Sequence, residues 1–282
     1  MFVEDGELLS THAFAGDQFI MRLRAPKCAA AAQPGTFVHV SCDDALPMRR
    51  PLSIMRASGD WIEVLYKVVG TGLELLSNKT IGDRINVLGP IGQAFQPSPE
   101  RPNALLIGGG VGIPPMVFLA DALRGDDSQW HPLAILGSEI PFPFDLESSS
   151  LPTPWLADDI VSTMPLLESW GVPARLTSQA DFAGCLRGFV TDMADIWLQS
   201  LDEEELAKTG VFACGPTPML KAVAALAARH NLPCQVSLEE FMACAVGGCA
   251  GCAVEVTTPE GPAMKRVCVD GPVFEASTVV WS

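Results

Sequence analysis

Three cysteines lie within nine residues near the C-terminal end of the chain, in the stretch CAVGGCAGC at 244–252. Cys244, Cys249 and Cys252 have the spacing C-x4-C-x2-C, and Cys268 follows them. Four thiolates at this spacing are typical of a plant-type [2Fe-2S] cluster. Intervening glycines let the backbone turn its N–H groups towards sulfur atoms that carry negative charge. The pattern therefore predicts an iron–sulfur site, with Gly247, Gly248 and Gly251 supplying the unusual backbone dihedrals.

A structural zinc site is the alternative use of four cysteines. Such sites generally combine two short C-x2-C pairs. This chain has only one such pair, Cys249 and Cys252, which favours the iron–sulfur interpretation. Buried, unreactive thiols are the expectation for the other five cysteines, which are scattered. These are Cys28, Cys42, Cys185, Cys214 and Cys234.

The composition narrows the class of protein. A chain of 282 residues with 48% hydrophobic content can form about two domains and a small third one. Its formal charge of −15 repels phosphate groups, so nucleic acid and anionic membrane surfaces are not expected partners. The N-terminal MFVEDGELLS is acidic, unlike a secretory signal, and the apolar stretch 104–120 is too short for a membrane span. We expect a cytoplasmic protein whose cysteines stay reduced.

Three segments with different patterns must position these groups. Short alternating runs to about residue 100, among them QFIMRLR and WIEVLYKVV, predict an antiparallel β-barrel. From 101 to 232, apolar strands alternate with turns and helices, which predicts a parallel-sheet α/β domain. Residues 233–282 are rich in Cys and Gly and predict a small cluster module. The Pro- and Ser-rich stretch 138–165 is expected to be an irregular loop.

Two places in the barrel have the residue types of a flavin site. In MRRPLSI, the Arg50 guanidinium suits a pyrophosphate, and the Ser53 hydroxyl can hydrogen-bond a ring nitrogen of a flavin. In YKVVGTG, at 66–72, glycines near a strand end allow close approach of a phosphate or a flat ring. An exposed arginine beside a turn proline and an ordinary turn are the simpler interpretations of these two segments.

Two turns of the second segment could hold a dinucleotide. After the strand NALLI, the turn GGGVG precedes a helix whose N-terminal N–H groups favour phosphate. It departs from G-x-G-x-x-G, so it is weak by itself. The later strand ends in CGPTPML at the carboxyl edge of the sheet, where ligands usually bind, although a tight turn with a capped helix is the alternative. Glu139, with no Arg or Lys between 133 and 170, favours NAD over NADP.

Together, and in this order, the two flavin-type segments and the two glycine turns resemble the ferredoxin-NADP reductase superfamily over nearly the whole chain. Six motifs resemble in particular the electron-transfer subunits of dihydroorotate dehydrogenase B. The C-terminal motifs are the most specific of the six. Departures from the usual family pattern occur at Lys67, Leu73 and Ala245. The motifs are RRPLSI, GGGVGIPPM, RGFVTD, CGPTPML, VSLEEFMACAVGGCAGC and VCVDGPVF.

The resemblance implies the residues of each site. Cys214 is the candidate catalytic residue, and the four cysteines of the opening pattern are the candidate metal ligands. FAD is expected to contact Arg50, Pro51, Leu52, Ser53, Tyr66, Lys67, Gly72 and Leu73. NAD(H) is expected to contact Gly109, Gly110, Gly112, Gly215 and Pro216.

The resemblance also implies a function in pyrimidine biosynthesis. Electrons from an FMN-containing dihydroorotate dehydrogenase catalytic subunit would reach NAD through the [2Fe-2S] cluster and FAD, in a heterotetramer. An FAD/iron–sulfur subunit of a hydrogenase or of an NADH/ferredoxin transhydrogenase shares most of these motifs. A zinc-stabilised interaction module without a redox role is the alternative from another class.

Overall fold

The computed structural model describes residues 1–125 and 129–281. Its N-terminal part is the predicted antiparallel barrel, a closed sheet with the strand order β1-β2-β5-β4-β3-β6. Two short helices accompany it, α1 (Pro26–Ala31) and α2 (Gly70–Ser77). The strands are β1 (Phe2–Phe14), β2 (Gln18–Arg24), β3 (Phe37–Val40), β4 (Arg50–Ser58), β5 (Trp61–Lys67) and β6 (Arg84–Ile91).

Alternation along β3 shows which side of the barrel faces the rest of the protein. Val38 and Val40 belong to the core inside the barrel. Phe37 points the other way and packs in a cluster shared with the sheet and with the cysteine-rich module. Successive side chains of a strand face opposite sides, so His39 lies on the outer face beside Phe37. The outer surface of β3 is therefore an interface between parts of the molecule.

The middle of the chain is the predicted α/β unit. Its seven-stranded sheet has the order β12-β11-β8-β7-β13-β14-β17, and all its pairs are parallel except the edge pair β14–β17. The strands are β7 (Asn103–Gly109), β8 (His131–Gly137), β11 (Ala174–Ser178), β12 (Leu186–Arg187), β13 (Thr209–Cys214), β14 (Cys234–Ser237) and β17 (Val273–Glu275). The helices are α3 (Ile113–Leu123), α4 (Pro165–Ser169), α5 (Val190–Ser200), α6 (Glu203–Ala207) and α7 (Thr217–Arg229).

Helix α3 fits between the barrel and the sheet. Its apolar sequence IPPMVFLADAL is buried over most of its length, and its prolines lie in the first turn, where a missing N–H costs no helical hydrogen bond. Phe118 packs into the barrel core, whereas Leu119 packs into the core on the sheet side. The helix thereby joins the two units. In the described part of the chain, no helix combines the length and the apolar character needed to cross a membrane.

The cysteine-rich module contains one hairpin, formed by β15 (Ala253–Thr258) and β16 (Gly261–Arg266). After it, the chain returns to the large sheet as the edge strand β17, so the module is continuous with that sheet. The stretch 138–165 is largely irregular, as predicted. It contains only the two-residue strands β9 (Glu147–Ser148) and β10 (Ser162–Thr163), which pair with each other.

The turn after β7 packs tightly against the end of β13. Because a Cβ at Gly112 would lie 2.3 Å from the Cys214 carbonyl oxygen, we expect Gly112→Ala to push the two strand ends apart and to destabilise the protein. The expected loss is about 1–3 kcal/mol in urea unfolding, as for other overpacked sites. Gly210→Ala is the matched control, because its Cβ would meet nothing closer than the Phe212 ring at 3.5 Å. Equal stability of the two variants would contradict the tight contact.

Candidate functional site

The four cysteines of the C-terminal module are arranged as two pairs. The Cys249 thiol lies within hydrogen-bonding reach of Cys244, and the Cys252 thiol within reach of Cys268. Cys252 and Cys268 are buried, whereas Cys249 is exposed. A [2Fe-2S] cluster takes two protein ligands on each of its two irons, so this donor set fits it.

The same arrangement does not fit a single metal ion. Among residues 1–125 and 129–281, no three His, Cys, Asp or Glu side chains converge on one position where an ion could bind. A structural zinc ion requires four donors around one point at about 2.0–2.3 Å. Four neighbouring thiols at this sequence spacing instead favour the iron–sulfur interpretation over the zinc alternative.

Backbone N–H groups point at the sulfur atoms. Val246 and Cys249 donate to Cys244 Sγ at 3.5 and 3.4 Å, and Gly251 donates to Cys249 Sγ at 3.4 Å. The amides of Val246 and Cys249 lower the pKa of the Cys244 thiol to about 7, which favours the thiolate that binds metal. By contrast, burial and the neighbouring Cys252 raise the pKa of Cys268 to about 11.

The dihedrals that aim these donors differ in part from the prediction. Gly247 has a positive φ of 80°, as expected, but Gly248 and Gly251 do not have positive φ values. Ala245 and Ala250 have φ 54° instead, in the left-handed region that non-glycine residues rarely adopt. Such residues cluster at functional sites, where the surrounding structure holds them. The assignment of the unusual dihedrals to Gly248 and Gly251 was therefore wrong, because alanines adopt them.

The predicted FAD residues at Arg50 and Gly72 lie together. Arg50 Nη1 donates to the carbonyl oxygens of Met48 and Arg49 at 2.9 and 3.1 Å, which fixes the guanidinium at the start of β4. A Cβ at Gly72 would lie 2.9 Å from Arg50 Nη2, so this glycine in the first turn of α2 lets the side chain approach. A guanidinium beside uncapped N–H groups of a helix suits a pyrophosphate.

The other predicted FAD residues occupy different positions. Tyr66 is 2% exposed, stacks on Phe19 with ring centroids 5.5 Å apart, and its hydroxyl has no hydrogen-bond partner among the described residues. Leu52 packs inside the barrel, so any contact from it would use its backbone. Lys67 is exposed, and the partly buried residues are Pro51, Ser53 and Leu73.

The two glycine-containing turns meet at the carboxyl edge of the sheet. Strands β7 and β13 are neighbours, with Gly108 opposite Cys214. Cβ atoms at Gly109 and Gly215 would lie 2.4 and 2.5 Å from atoms of Met219, so both turns pack on the same α7 side chain. The remaining predicted NAD(H) residues border this edge. Gly110 has φ 54° and open space beside it. Gly112 precedes α3, and Pro216 precedes α7.

Cys214 is completely buried at the end of β13. Burial, and next the charge of Glu239, raise the pKa of its thiol, which also hydrogen-bonds with Ser237. A neutral, inaccessible thiol is not suited to nucleophilic or acid–base chemistry. Its catalytic role remains a prediction.

Sequence reasoning missed two residues near this edge. Glu239 is exposed, yet desolvation by the surrounding protein raises the pKa of its carboxyl. His39 is completely buried on the outer face of the barrel. The sequence signal for His39 was a polar residue inside the apolar run FVHV. The sequence signal for Glu239 was the acidic pair that precedes the first cysteine of the cluster motif.

Comparisons with known proteins agree with this geometry. Residues 239–280 match the model of the iron–sulfur cluster binding domain of dihydroorotate dehydrogenase B. The chain is 33% identical to a dihydroorotate dehydrogenase B (NAD(+)) electron transfer subunit of Desulforamulus reducens, over 99% of this chain and 98% of that protein. It is 35% identical to the corresponding subunit of Bacillus caldolyticus over 88% and 87% of the two chains.

Solved structures show the same architecture. A structure of the NADH-dependent reduced ferredoxin-NADP oxidoreductase matches with TM-score 0.79 and 27% identity, over 99% of this chain and 90% of that chain. The ferredoxin reductase of carbazole 1,9a-dioxygenase matches with TM-score 0.61 and 20% identity, over 82% and 67% of the two chains, and supports the fold alone.

Arg50→Ala tests the flavin site. Loss of one charge-assisted contact of roughly 1.5–3 kcal/mol should make FAD dissociate about tenfold or more readily. FAD release on dialysis, followed by absorbance, measures the change. Arg229→Ala is the control, since that side chain lies at the exposed end of α7 beside Asp195. Retention of FAD by the Arg50 variant at the level of the control would place the pyrophosphate elsewhere.

Cys249→Ser tests the ligand set. We expect this variant to lose its iron and sulfide, because one iron would keep a single strong protein ligand. NADH oxidation with an artificial acceptor that takes electrons from the flavin should largely persist. Cys185→Ser, at a cysteine outside the two pairs, should keep full iron content in the same assay. Iron and sulfide at the wild-type level in Cys249→Ser would remove Cys249 from the ligand set.

Proposed function

The chain belongs to the family of dihydroorotate dehydrogenase B electron-transfer subunits, and from that premise we propose that it carries electrons between an FMN-bearing dihydroorotate dehydrogenase subunit and NAD. The carriers are a [2Fe-2S] cluster and FAD, and the process serves pyrimidine biosynthesis. The observation that carries the proposal is the pairing of Cys244 with Cys249 and of Cys252 with Cys268 at the end of a chain that matches its relatives over its full length.

Each group of residues has one task in this function. Bound FAD exchanges one or two electrons, and the cluster exchanges one, which couples a hydride acceptor to a one-electron donor. Arg50 and the first turn of α2 hold the pyrophosphate of FAD. Gly109, Gly112 and Gly215 let the dinucleotide lie close to the strand ends, and the amides at Val246 and Cys249 stabilise thiolate at Cys244. NAD is the nucleotide, in agreement with Glu139, exposed just past β8, and with the names of the relatives.

The division of these tasks follows the chain. We assign FAD binding to residues 1–100, NAD binding to 101–232 and the cluster to 233–282. The boundary at 232 falls just before β14, which joins the sheet of the second unit, so the cluster module is built directly on the edge of that sheet. A cytoplasmic location is part of the proposal, because all nine cysteines are free thiols in the structure.

The partner docks on the face around the exposed ligand Cys249 and Gly251. Phe241 is 95% exposed just before the first cysteine, and Val246 and Val269 are exposed in the same module. Large exposed aromatic side chains are typical anchors of interfaces, and permanent interfaces are partly apolar. Two copies of each subunit, as the family resemblance implies, give the heterotetramer.

A second candidate function is suggested by the structure at TM-score 0.79. That protein is an NADH-dependent reduced ferredoxin-NADP oxidoreductase, and it matches 99% of this chain. In this alternative the chain keeps FAD and the cluster but serves a ferredoxin-linked flavoprotein in place of a dihydroorotate dehydrogenase. The two functions differ only in the partner subunit.

Reconstitution tests the function. The purified chain, loaded with FAD and cluster, is mixed with an FMN-bearing dihydroorotate dehydrogenase subunit from the same source, and NAD⁺ reduction is followed with dihydroorotate as donor. We expect turnover by the mixture and none by either protein alone. The second candidate would be favoured by two results together. The chain would form no complex and show no turnover with the dihydroorotate dehydrogenase subunit, and it would form a complex and support ferredoxin-dependent reduction with the ferredoxin-linked flavoprotein.

Phe241→Glu tests the docking face. A charge at a buried anchor should weaken the complex by about thirtyfold or more, the equivalent of about 2 kcal/mol. Calorimetric titration of one subunit with the other measures the dissociation constant. Met264→Glu provides the matched control, because Met264 is 63% exposed on the hairpin of the same module. An unchanged dissociation constant for Phe241→Glu, or equal losses in both variants, would contradict this placement.

A further inference from the structure

His39 lies between the flavin-binding strand and the segment that leads to the cluster. It is 0% exposed, and its neighbours across the sheet are Pro51 on β4 and Leu88 on β6. Directly opposed residues of neighbouring strands share a face, so His39 lies beside Pro51 on the side of the barrel where Phe37 packs. The strand that carries Arg50 and Ser53 is thus in contact with His39.

Met242, two residues before the predicted ligand Cys244, is another neighbour of the imidazole. The carbonyl oxygens of Arg49 and Met242 are both close enough to the ring to favour its protonated form. The apolar cluster around it contains Phe37, Cys252 and Cys268, and Met242 packs against that cluster. His39 is therefore the polar residue at which the barrel and the cluster segment meet.

The buried imidazole is neutral at ordinary pH. Burial, and next the Arg49 charge, lower the pKa of His39 to about 4. A neutral ring has one N–H to donate, and both nearby carbonyls can only accept. Neither ring nitrogen has a well-formed hydrogen bond among the described residues. A buried polar ring in such a place costs free energy that a leucine would not, so its presence requires an explanation.

The two carbonyls differ in their other anchors. The Arg49 carbonyl already accepts a hydrogen bond from Arg50 Nη1 at 3.1 Å, and the Arg49 guanidinium is itself fixed by the backbone oxygens of His39 and Asn86, both at 3.1 Å. Residues 239–243 have no backbone–backbone hydrogen bond in the described structure, although Leu238 is tied to Pro272 at 2.9 Å. In the described structure, the Met242 carbonyl beside His39 is therefore an acceptor through which this segment can be held against the barrel.

We propose that His39 is a positioning residue that donates a hydrogen bond to the Met242 carbonyl and thereby holds the cluster segment against the flavin-binding strand. The inference rests on the proposed function, because its consequence is electron transfer between the flavin and the cluster. One-electron transfer weakens with distance, so a segment that moves away from β4 slows this step. The hydride step between NADH and the flavin does not pass through the cluster segment, so we expect it to be independent of His39.

The test compares His39→Leu, His39→Gln and Phe37→Leu in the chain loaded with FAD and cluster. His39→Leu fills a similar space without a donor, and His39→Gln keeps an N–H donor. Phe37→Leu removes apolar packing from the same face of β3 without removing a side-chain hydrogen bond. Stopped-flow reduction by NADH separates the flavin phase from the cluster phase, and visible circular dichroism with iron analysis reports the state of the cluster independently of activity.

We expect His39→Leu to keep the flavin phase and to slow the cluster phase by about fivefold or more, as for the loss of one hydrogen bond. Its cluster should also show an altered circular dichroism spectrum and faster iron loss, and His39→Gln should restore both properties. An unchanged cluster phase in His39→Leu, equal defects in the Leu and Gln variants, or an equal defect in Phe37→Leu would overturn the proposal. Absence of a flavin or cluster phase in the wild-type chain would instead refute the proposed function.

Discussion

The rest of the structure depends on one constraint. Four sulfur atoms must be held close together in the charged state that binds metal. Like charges at this distance repel each other unless donors face them. The amides at Val246, Cys249 and Gly251 provide those donors, and their direction requires left-handed backbone at Ala245, Gly247 and Ala250. The Arg266 guanidinium fixes the loop by donating hydrogen bonds to the Gly247 carbonyl at 3.1 Å and to the Asp270 carboxylate at 3.3 Å. So strained a loop persists only on a rigid support.

The support comes from both larger units, which also places the cluster near the cofactor sites. Phe37 and Ile91 of the barrel, Val236 of the sheet and Cys252 and Cys268 of the module share one core. Strand β17 returns the chain to the sheet after the hairpin, so the loop is fixed at both of its ends. The barrel face that packs on the module includes β3, which pairs with β4, the strand that carries the predicted FAD residues. Packing thus provides the short distances that an electron carrier requires.

Much of this organisation could be predicted from the sequence, because its indications are local. Alternating runs identified the barrel, and apolar strands followed by glycine turns identified the sheet. The cysteine spacing predicts the ligand set. The remaining features depend on contacts between distant segments. No local sequence feature indicates that Leu52 points into the barrel, that Ala245 and Ala250 take the dihedrals expected of glycine, or that the pKa of the Glu239 carboxyl is raised. The role of His39 depends on Met242, about two hundred residues away, so it is visible only once both are placed.

The central claim is that the cysteine-rich loop holds two irons on two pairs of thiols. The most direct measurement is the content of metal and acid-labile sulfide per chain in protein purified without oxygen, together with the electron paramagnetic resonance spectrum after reduction. The account predicts two irons and two sulfides per chain, no zinc, and the signal of one reduced [2Fe-2S] centre. One zinc ion per chain, with no sulfide and no signal on reduction, would contradict it.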